Sequence, residues 1–461
     1  MTKILAFTSP AKGHLYPVAP VLSELVSRGH AVTALTLPGS ERELGPLGLT
    51  VRELPPALAP NTLDDWATTT EITTLRAALR ALVARIPDEI QALRGAIIAE
   101  RPDALLIDIT APGAQILAAA SGLPWASWAP KLLPLPSPGT PPFGPGLRPR
   151  TDRLGRIRDN TMHWFLERRA NEVLPEFNHM RRYYGLEALD SIVDYLRVPP
   201  LTLNFTAAPF DDAHPDWPES VARVGPGLWD PDAEPPAWLA AIDRPLALVT
   251  CSTAFHDDGR IAQLAMDALA DSGYYTVVTS GAIDPETLTA APNARVERFI
   301  PHHLLLDRAA VVVSHGGMGI VQKALAAGVP VCVVPSGRDH FEVARRVVGN
   351  NAGSRVAAKR LTAAKLRAGI EQAVACRAGA AHVATGFRAA TGTLHAANLL
   401  EHHFAGVETG HPARFGSVPV YEAHHYPTNE VAPEIVPGEP DPVVLPPKSA
   451  PAQEEQRRHE R

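Results

Sequence analysis

Two stretches of this chain carry residues of the types that hold phosphate and move protons. The longer begins at Val311 and reaches His340, with Ser314-His315-Gly316-Gly317-Met318-Gly319 behind a β-branched run and ahead of a helical pattern closed by Gly328. That order reads as strand, tight turn, helix and next strand. In such a unit the turn sits at the carboxyl end of the strand, and the next helix points its unpaired N–H groups and positive dipole end into the same crevice. The place suits an anion, most often a phosphate. Gly316, Gly317 and Gly319 lack the Cβ atoms that hold a ligand off the backbone, and His315 adds a side-chain donor. A packing turn explains the glycines alone equally well, and the spacing departs from the dinucleotide fingerprint because Gln322 stands where its last glycine falls.

The shorter stretch is Gly13-His14-Leu15-Tyr16-Pro17. It follows a buried-strand candidate, Ile4 to Phe7, and runs into Val18, Val21, Leu22, Leu25 and Val26 at helical spacing, ahead of Gly29 and a second strand from Ala31 to Leu37. His14 therefore lies in the first strand-to-helix loop, on the side where open α/β sheets hold ligands, either as a surface group or as a catalyst. Farther on, Ala104-Leu-Leu-Ile-Asp108 reads as a strand ending in a carboxylate at the same edge. From the residues alone Asp108 is well explained as a cap on the helix expected over Thr110 to Ala120.

The elements that must position these groups form two α/β domains. The 461 residues are enough for two ordinary cores, and 20% charged residues, 45% hydrophobic residues and a formal charge of −6 describe a globular protein with no polybasic stretch calling for nucleic acid. Cys251, Cys332 and Cys376 are far apart and odd in number, which suggests neither a disulfide framework nor a metal cluster and fits a reducing cytoplasm. Pro and Gly interrupt every window of about 18 residues that would otherwise cross a bilayer. The apolar run at Ile4 to Phe7 is too short for a secretory signal.

Along the chain, a mixed helix is expected around 71–101, a proline-rich apolar loop over Trp125 to Pro149, and a helix from about Asp159 to Tyr184. Phe165, Val173, Phe177, Met180 and Tyr184 are candidates for one face of that last helix, with Pro175 able to kink or divide it. The Pro- and acid-rich segment from Arg223 to Pro236 reads as a boundary. Pro245 to Thr250 then forms a strand running into Ser252 and Thr253, whose hydroxyls suit a phosphate loop or a cap on a helix beginning near Asp258. Strands over Tyr275 to Thr279 and Arg295 to Phe299, a helix over Phe341 to Val348 and helices from Ala363 to Phe404 complete the second half. From Ala405 the chain is rich in Pro, Glu and Gly without periodicity and reads as a flexible tail.

Phe299-Ile-Pro-His302, the His315-Gly-Gly turn and Pro335 to Asp339-His340, in this order and spacing, resemble the nucleotide-sugar binding motif of family-1 glycosyltransferases. That family includes bacterial macrolide and antibiotic glycosyltransferases. The resemblance covers about residues 1–404 and implies the GT-B architecture, an α/β fold of two facing Rossmann-like domains. It implies an acceptor-binding domain over 1–224, a linker over 225–240, a nucleotide-sugar domain over 241–404 whose last helices pack back on the first, and a flexible tail over 405–461. The implied reaction is transfer of a sugar from a uridine or thymidine diphosphate donor to a hydroxyl of a small hydrophobic acceptor, with inversion and with no metal required.

The same resemblance implies the roles. His14, in the matching Gly-His-x-x-Pro segment, is the general base and Asp108 the carboxylate that hydrogen-bonds it. Ser252 and Thr253 lie in the loop that helps hold the diphosphate, together with His315 and the amides of Gly317, Met318 and Gly319. Phe299 stacks on the base while backbone groups near Ile300 and His302 read its edge. Asp339 and His340 match an Asp-Gln pair for the sugar hydroxyls, with His replacing Gln. Two more departures concern the donor: Ile320 stands where Ser or Thr contacts phosphate, and Lys323 where Glu binds the ribose. Lys323 is thereby offered to a phosphate and Gln322 to the ribose. These departures keep a catalytically silent helper protein as an alternative; a nucleotide-sugar epimerase would want several carboxylates around the sugar instead of one His-Asp pair.

Overall fold

A computed structural model describes residues 1–58, 71–150, 152–252 and 259–406. The strands fall into two sheets, each wholly parallel. In the first, β1 (Lys3–Phe7), β2 (Ala31–Thr36), β3 (Thr50–Glu53), β4 (Ala104–Asp108), β5 (Trp125–Ala129), β6 (Thr202–Asn204) and β7 (Val221–Arg223) take the order β3-β2-β1-β4-β5-β6-β7. In the second, β8 (Leu246–Thr250), β9 (Tyr275–Thr279), β10 (Ala294–Glu297), β11 (Ala309–Ser314), β12 (Val331–Val333) and β13 (Gly353–Arg355) take the order β10-β9-β8-β11-β12-β13. The central strands are buried along their whole length because helices cover both faces: every residue of β4, β5 and β8 is buried. This is the two-domain α/β architecture expected of the chain. Among the described residues no helix is long and apolar enough to cross a membrane.

Strand order reverses between β1 and β4 in one sheet and between β8 and β11 in the other. Crevices that accept ligands open beyond the carboxyl ends of strands at such points. His14 follows β1 and Asp108 closes β4, while Ser252 follows β8 and His315 follows β11, whose ends are level through the Ser314–Thr250 register. The four positions therefore flank the two switch points by topology alone.

The domains share apolar contacts. Leu132, Ala207 and Phe210 come from the first half yet are buried in the core cluster built mostly from the second, and Phe210 meets the Phe387 ring edge-on at 5.9 Å. In return the helix Gly392–Gly406 sends Ala396, Ala397 and Leu400 into the core of the first domain, with Glu401 paired to Arg28 at 2.6 Å and to His30 at 3.0 Å.

Several elements differ from the sequence reading. Trp125–Ala129 is no loop: it is β5, buried throughout and hydrogen-bonded between β4 and β6, because a central slot in the sheet overrides its weak Ala- and Ser-rich strand preference. The helix expected over Asp159 to Tyr184 is two, Arg153–Ala170 and Leu174–Tyr183, joined by a 3-10 turn at Asn171–Val173. Pro175 sits in the first turn of the second helix, where its missing N–H has no partner to lose. The earlier start is set by Asp152, whose carboxylate caps Gly155 N at 3.1 Å. The 71–101 helix is likewise divided, into Glu71–Ala84 and Ile86–Glu100. β10 ends at Glu297, two residues before Phe299, and the 225–240 segment ends in a helical turn at Ala237–Ala240. Thr253, the helix start placed near Asp258, and the tail beyond residue 406 lie outside the described residues.

Candidate functional site

The first half of the site is built on β1 and β4. His14 occupies the opening turn of the helix Lys12–Ser27, and its Nδ1 lies 2.9 Å from Asp108 Oδ2 and 3.2 Å from Oδ1. Asp108 is wholly buried, and its Oδ1 accepts the Thr110 amide and hydroxyl at 2.8 Å each while Oδ2 accepts the Ser9 amide at 3.1 Å. Burial pushes the Asp108 carboxyl up, but the His14 imidazole and these N–H donors outweigh it and hold the group down at about 2. A carboxylate that stays ionised and accepts from Nδ1 fixes the neutral imidazole with its proton on Nδ1, leaving the Nε2 lone pair as a base. The helix that follows is capped at Ala111 without side-chain help, so Asp108 does not serve as its N-cap. Thr110, which also approaches His14 Nδ1 at 3.2 Å, and Ser9, hydroxyl-bonded to Thr110 at 2.7 Å, were not singled out from the sequence. The Asp-x-Thr spacing was the available signal, since a side chain two residues on folds back in an Asx-type turn.

The second half is the turn between β11 and the helix Met318–Ala326. Gly317 is its N-cap, and the amides of Met318, Gly319 and Ile320 have no acceptor within the helix. Gly316 has φ +104°, and a Cβ there would lie 2.9 Å from Val333 Cγ1 and 3.2 Å from His340 Cβ, so a side chain at this position would strain the backbone and displace its neighbours. His315 is buried, with its Nε2 2.8 Å from where a Cβ on Gly317 would stand and its ring 4.7 Å from that of His340. His340 opens the helix His340–Gly349, directly after half-buried Asp339, and Ser336 Oγ lies 3.4 Å from its Nδ1. His315, the glycine turn and His340 are thus one cluster. Ser252 stands beside it in sequence register at the end of β8, with its carbonyl 2.4 Å from where a Cβ on Gly281 would lie.

The other residues expected at the donor flank the cluster. Phe299 is 49% exposed, so its ring face is open to a partner, whereas Ile300 is buried in the core. Lys12 Nζ lies 5.9 Å from the Phe299 ring and 5.6 Å from the Tyr16 ring, and pairs with Glu43 at 2.6 Å. The opening turn of the helix Lys12–Ser27, a loop in the sequence reading, carries Lys12 and His14 and therefore reaches the second domain at Phe299. Lys323 is not left open to a phosphate: its ammonium pairs with Asp230 Oδ1 at 2.6 Å, largely buried, and Asp230 Oδ2 also accepts the His303 amide at 3.2 Å. Burial lowers the Lys323 pKa and the Asp230 charge only partly restores it. Gln322 is not at hand for a ribose, because it is 1% exposed and its Nε2 donates to the Phe205 carbonyl at 2.6 Å. Asp230 was hidden among the acidic residues of the linker and has no local pattern to mark it.

His302 lies beside the Lys323–Asp230 pair, and the pKa of its imidazole is displaced downward. Burial, followed by the Lys323 cation, pushes its imidazole down to about 4, with Asp230 opposing; Thr279 Oγ1 lies 3.4 Å from Nε2. An unfolded imidazole takes its proton near the ordinary value of about 6.5, so from there down to about 4 the unfolded chain holds more protons than the folded one. Stability attributable to His302 is therefore expected to fall as pH is lowered through that interval. Urea unfolding at a series of pH values should show this decline, and His302→Gln should make it shallower; an unchanged slope would refute the assignment.

A family model described as "Erythromycin biosynthesis protein CIII-like, C-terminal domain" matches residues 263–393. The 4'-demethylrebeccamycin synthase of Lentzea aerocolonigenes is 32% identical over 380 residues, which span 79% of this chain and 90% of that protein. The crystal structure of the glycotransferase of kitacinnamycin superposes with a TM-score of 0.66 at 25% identity, over 87% of this chain and 98% of its own. The glycosyltransferase VinC, solved in complex with dTDP, shares the fold with a TM-score of 0.64 at 21% identity, over 87% and 99% of the two chains.

Proposed function

This chain belongs to the antibiotic-type glycosyltransferases of the GT-B fold, and from that premise we propose that it transfers a sugar, with inversion, from a uridine or thymidine diphosphate donor to a hydroxyl of a small hydrophobic acceptor. The observation that carries the reading is the 2.9 Å contact between His14 Nδ1 and the buried, ionised Asp108 at the crevice edge of the first sheet. It leaves a base where an acceptor hydroxyl would enter. Beside it, Ile109, Ala129, Leu133 and Leu135 form an apolar cluster, the kind of wall that suits an apolar acceptor.

In this mechanism the acceptor oxygen attacks the anomeric carbon from the face opposite the diphosphate, and its proton passes to His14 Nε2. The bond from the anomeric carbon to the diphosphate oxygen breaks, and its electron pair leaves with the nucleoside diphosphate. Asp108 keeps the imidazole in the tautomer that can accept a proton and stabilises the imidazolium that forms. The charge gained by the leaving diphosphate is met by His315, by Ser252 and Thr253 hydroxyls and by the amides of Gly317, Met318 and Gly319 at the helix start, an arrangement that requires no metal ion. Asp339 and His340 take the sugar hydroxyls, and Phe299 stacks on the base with backbone groups of Ile300 and His302 at its edge. The Lys323–Asp230 pair closes the ribose side as a neutral unit.

The direct test is incubation with a panel of uridine and thymidine diphosphate sugars and polyphenol or polyketide acceptors, followed by product masses. An acceptor mass raised by one hexosyl or deoxyhexosyl unit is expected. If no product forms and calorimetry detects no uridine or thymidine diphosphate binding, the donor-site reading fails.

A further inference from the structure

The Pro-rich segment after β5 starts at the crevice edge of the first sheet, next in space to the strand that ends in Asp108, and reaches the second domain. There Glu342, 2% exposed on the helix His340–Gly349, accepts the backbone N–H groups of Gly144 at 3.1 Å and Gly146 at 2.9 Å through the same oxygen, Oε1. Its other oxygen is held by Arg346 at 3.0 Å and Arg345 at 3.4 Å. Arg346 continues to Asp211 at 2.9 Å and Asp212 at 3.2 Å, and Arg345 also pairs with Asp212. Both aspartates belong to the first domain, so the carboxylate is charge-compensated on one side and fully spent on the segment on the other. A buried carboxylate accepts this cost of desolvation only when every lone pair is used.

Steric fit pins the same place. Gly146 has φ +62°, and a Cβ on it would stand 2.2 Å from the Phe341 carbonyl oxygen and 2.6 Å from its carbon. The segment thus lies directly on the backbone of Phe341, one residue after His340 and two after Asp339. Leu132 at its beginning is buried in the second domain's core, and Leu133 and Leu135 line the apolar cluster beside Asp108.

We propose that Glu342 is a positioning residue that fixes the 130–149 segment as a shared wall between the acceptor side and the helix bearing Asp339 and His340, so that acceptor placement is set from the donor domain. This rests on the transferase reading above. Glu342 touches neither substrate; it acts through Gly144 and Gly146.

Gly146→Ala tests this without altering any charge, and Glu342→Gln tests it while keeping an acceptor oxygen of similar size. Both variants are expected to raise hydrogen exchange across 130–149 and to raise the acceptor KM about tenfold or more, since a displacement near 1 Å is enough for such losses. Thymidine or uridine diphosphate affinity by calorimetry should stay within about twofold of the parent protein, because the glycine turn is not touched. An unchanged acceptor KM, or a nucleotide affinity weakened in parallel with it, overturns the proposal and leaves Glu342 as part of a general interdomain contact. If the parent protein transfers no sugar to any acceptor, the transferase reading fails, and the exchange measurement still decides whether Glu342 and Gly146 hold the segment.

Discussion

Replacing His14 by alanine is expected to lower sugar transfer by roughly 10²- to 10⁴-fold, the range that a positioned general base supplies. The nucleoside diphosphate affinity is expected to stay unchanged, since the glycine turn and His315 belong to the other domain. The side chain is partly exposed at the crevice and, among the described residues, makes its polar contacts with Asp108 and Thr110, so its loss removes one imidazole without opening a core. Turnover with a good donor and acceptor, set beside calorimetric binding of thymidine or uridine diphosphate, separates the two effects. Unchanged turnover would remove His14 from the mechanism. Loss of binding together with turnover would mean that the variant reports on folding.

Asp108→Asn is expected to be at least as damaging for a different reason, lowering turnover by about 10⁴-fold, as when a buried orienting carboxylate is made an amide. Both carboxylate oxygens already accept a backbone N–H, Oδ2 from Ser9 and Oδ1 from Thr110, and both face His14 Nδ1. An asparagine can turn its NH₂ to neither side without setting donor against donor. The buried amide left unpaired costs about 1–3 kcal/mol of stability, and an imidazole forced to accept at Nδ1 carries its proton on Nε2, where the base is needed. With its carboxyl held at about 2, Asp108 remains ionised at every working pH, so an acid limb in the activity profile does not come from its titration. The sign for stability is the same as that for His302, in a lower pH interval. The Asp108 contribution is fully present above the unfolded carboxylate value of about 3.9 and is lost as pH falls through about 2. Chemical denaturation and pH-dependent turnover of the variant beside the parent check both statements.

Much of the fold was legible because parallel strands buried on both faces advertise themselves. Val311 to Ser314 and Leu246 to Thr250 are short, β-branched or aliphatic, and bounded by turn residues, and each lies where it was read. Trp125–Ala129 failed that test because its Ala and Ser carry little strand preference; only the slot between β4 and β6 makes it a strand. The helix break at Asn171–Val173 was half legible, since Pro175 announces a division without saying that a 3-10 turn precedes it.

The site divides in the same way. Residue types at the ends of strands, His14, Asp108, His315 and the glycines after it, were named by the sequence because topology puts strand ends at the crevice and each motif is contiguous. What the tertiary structure decided are the partners reached across long sequence separations: Asp230 against Lys323, Gln322 turned to Phe205, and Glu342 holding Gly144 and Gly146. The physical reason is that local pattern records periodicity and turn chemistry, whereas the partner of a buried charge or amide is chosen by whatever polar group the packed domains bring within about 3 Å. Chain order fixed which side chains stand at the edge of the crevice; the packing of one domain on the other fixed which of them are free to meet a substrate.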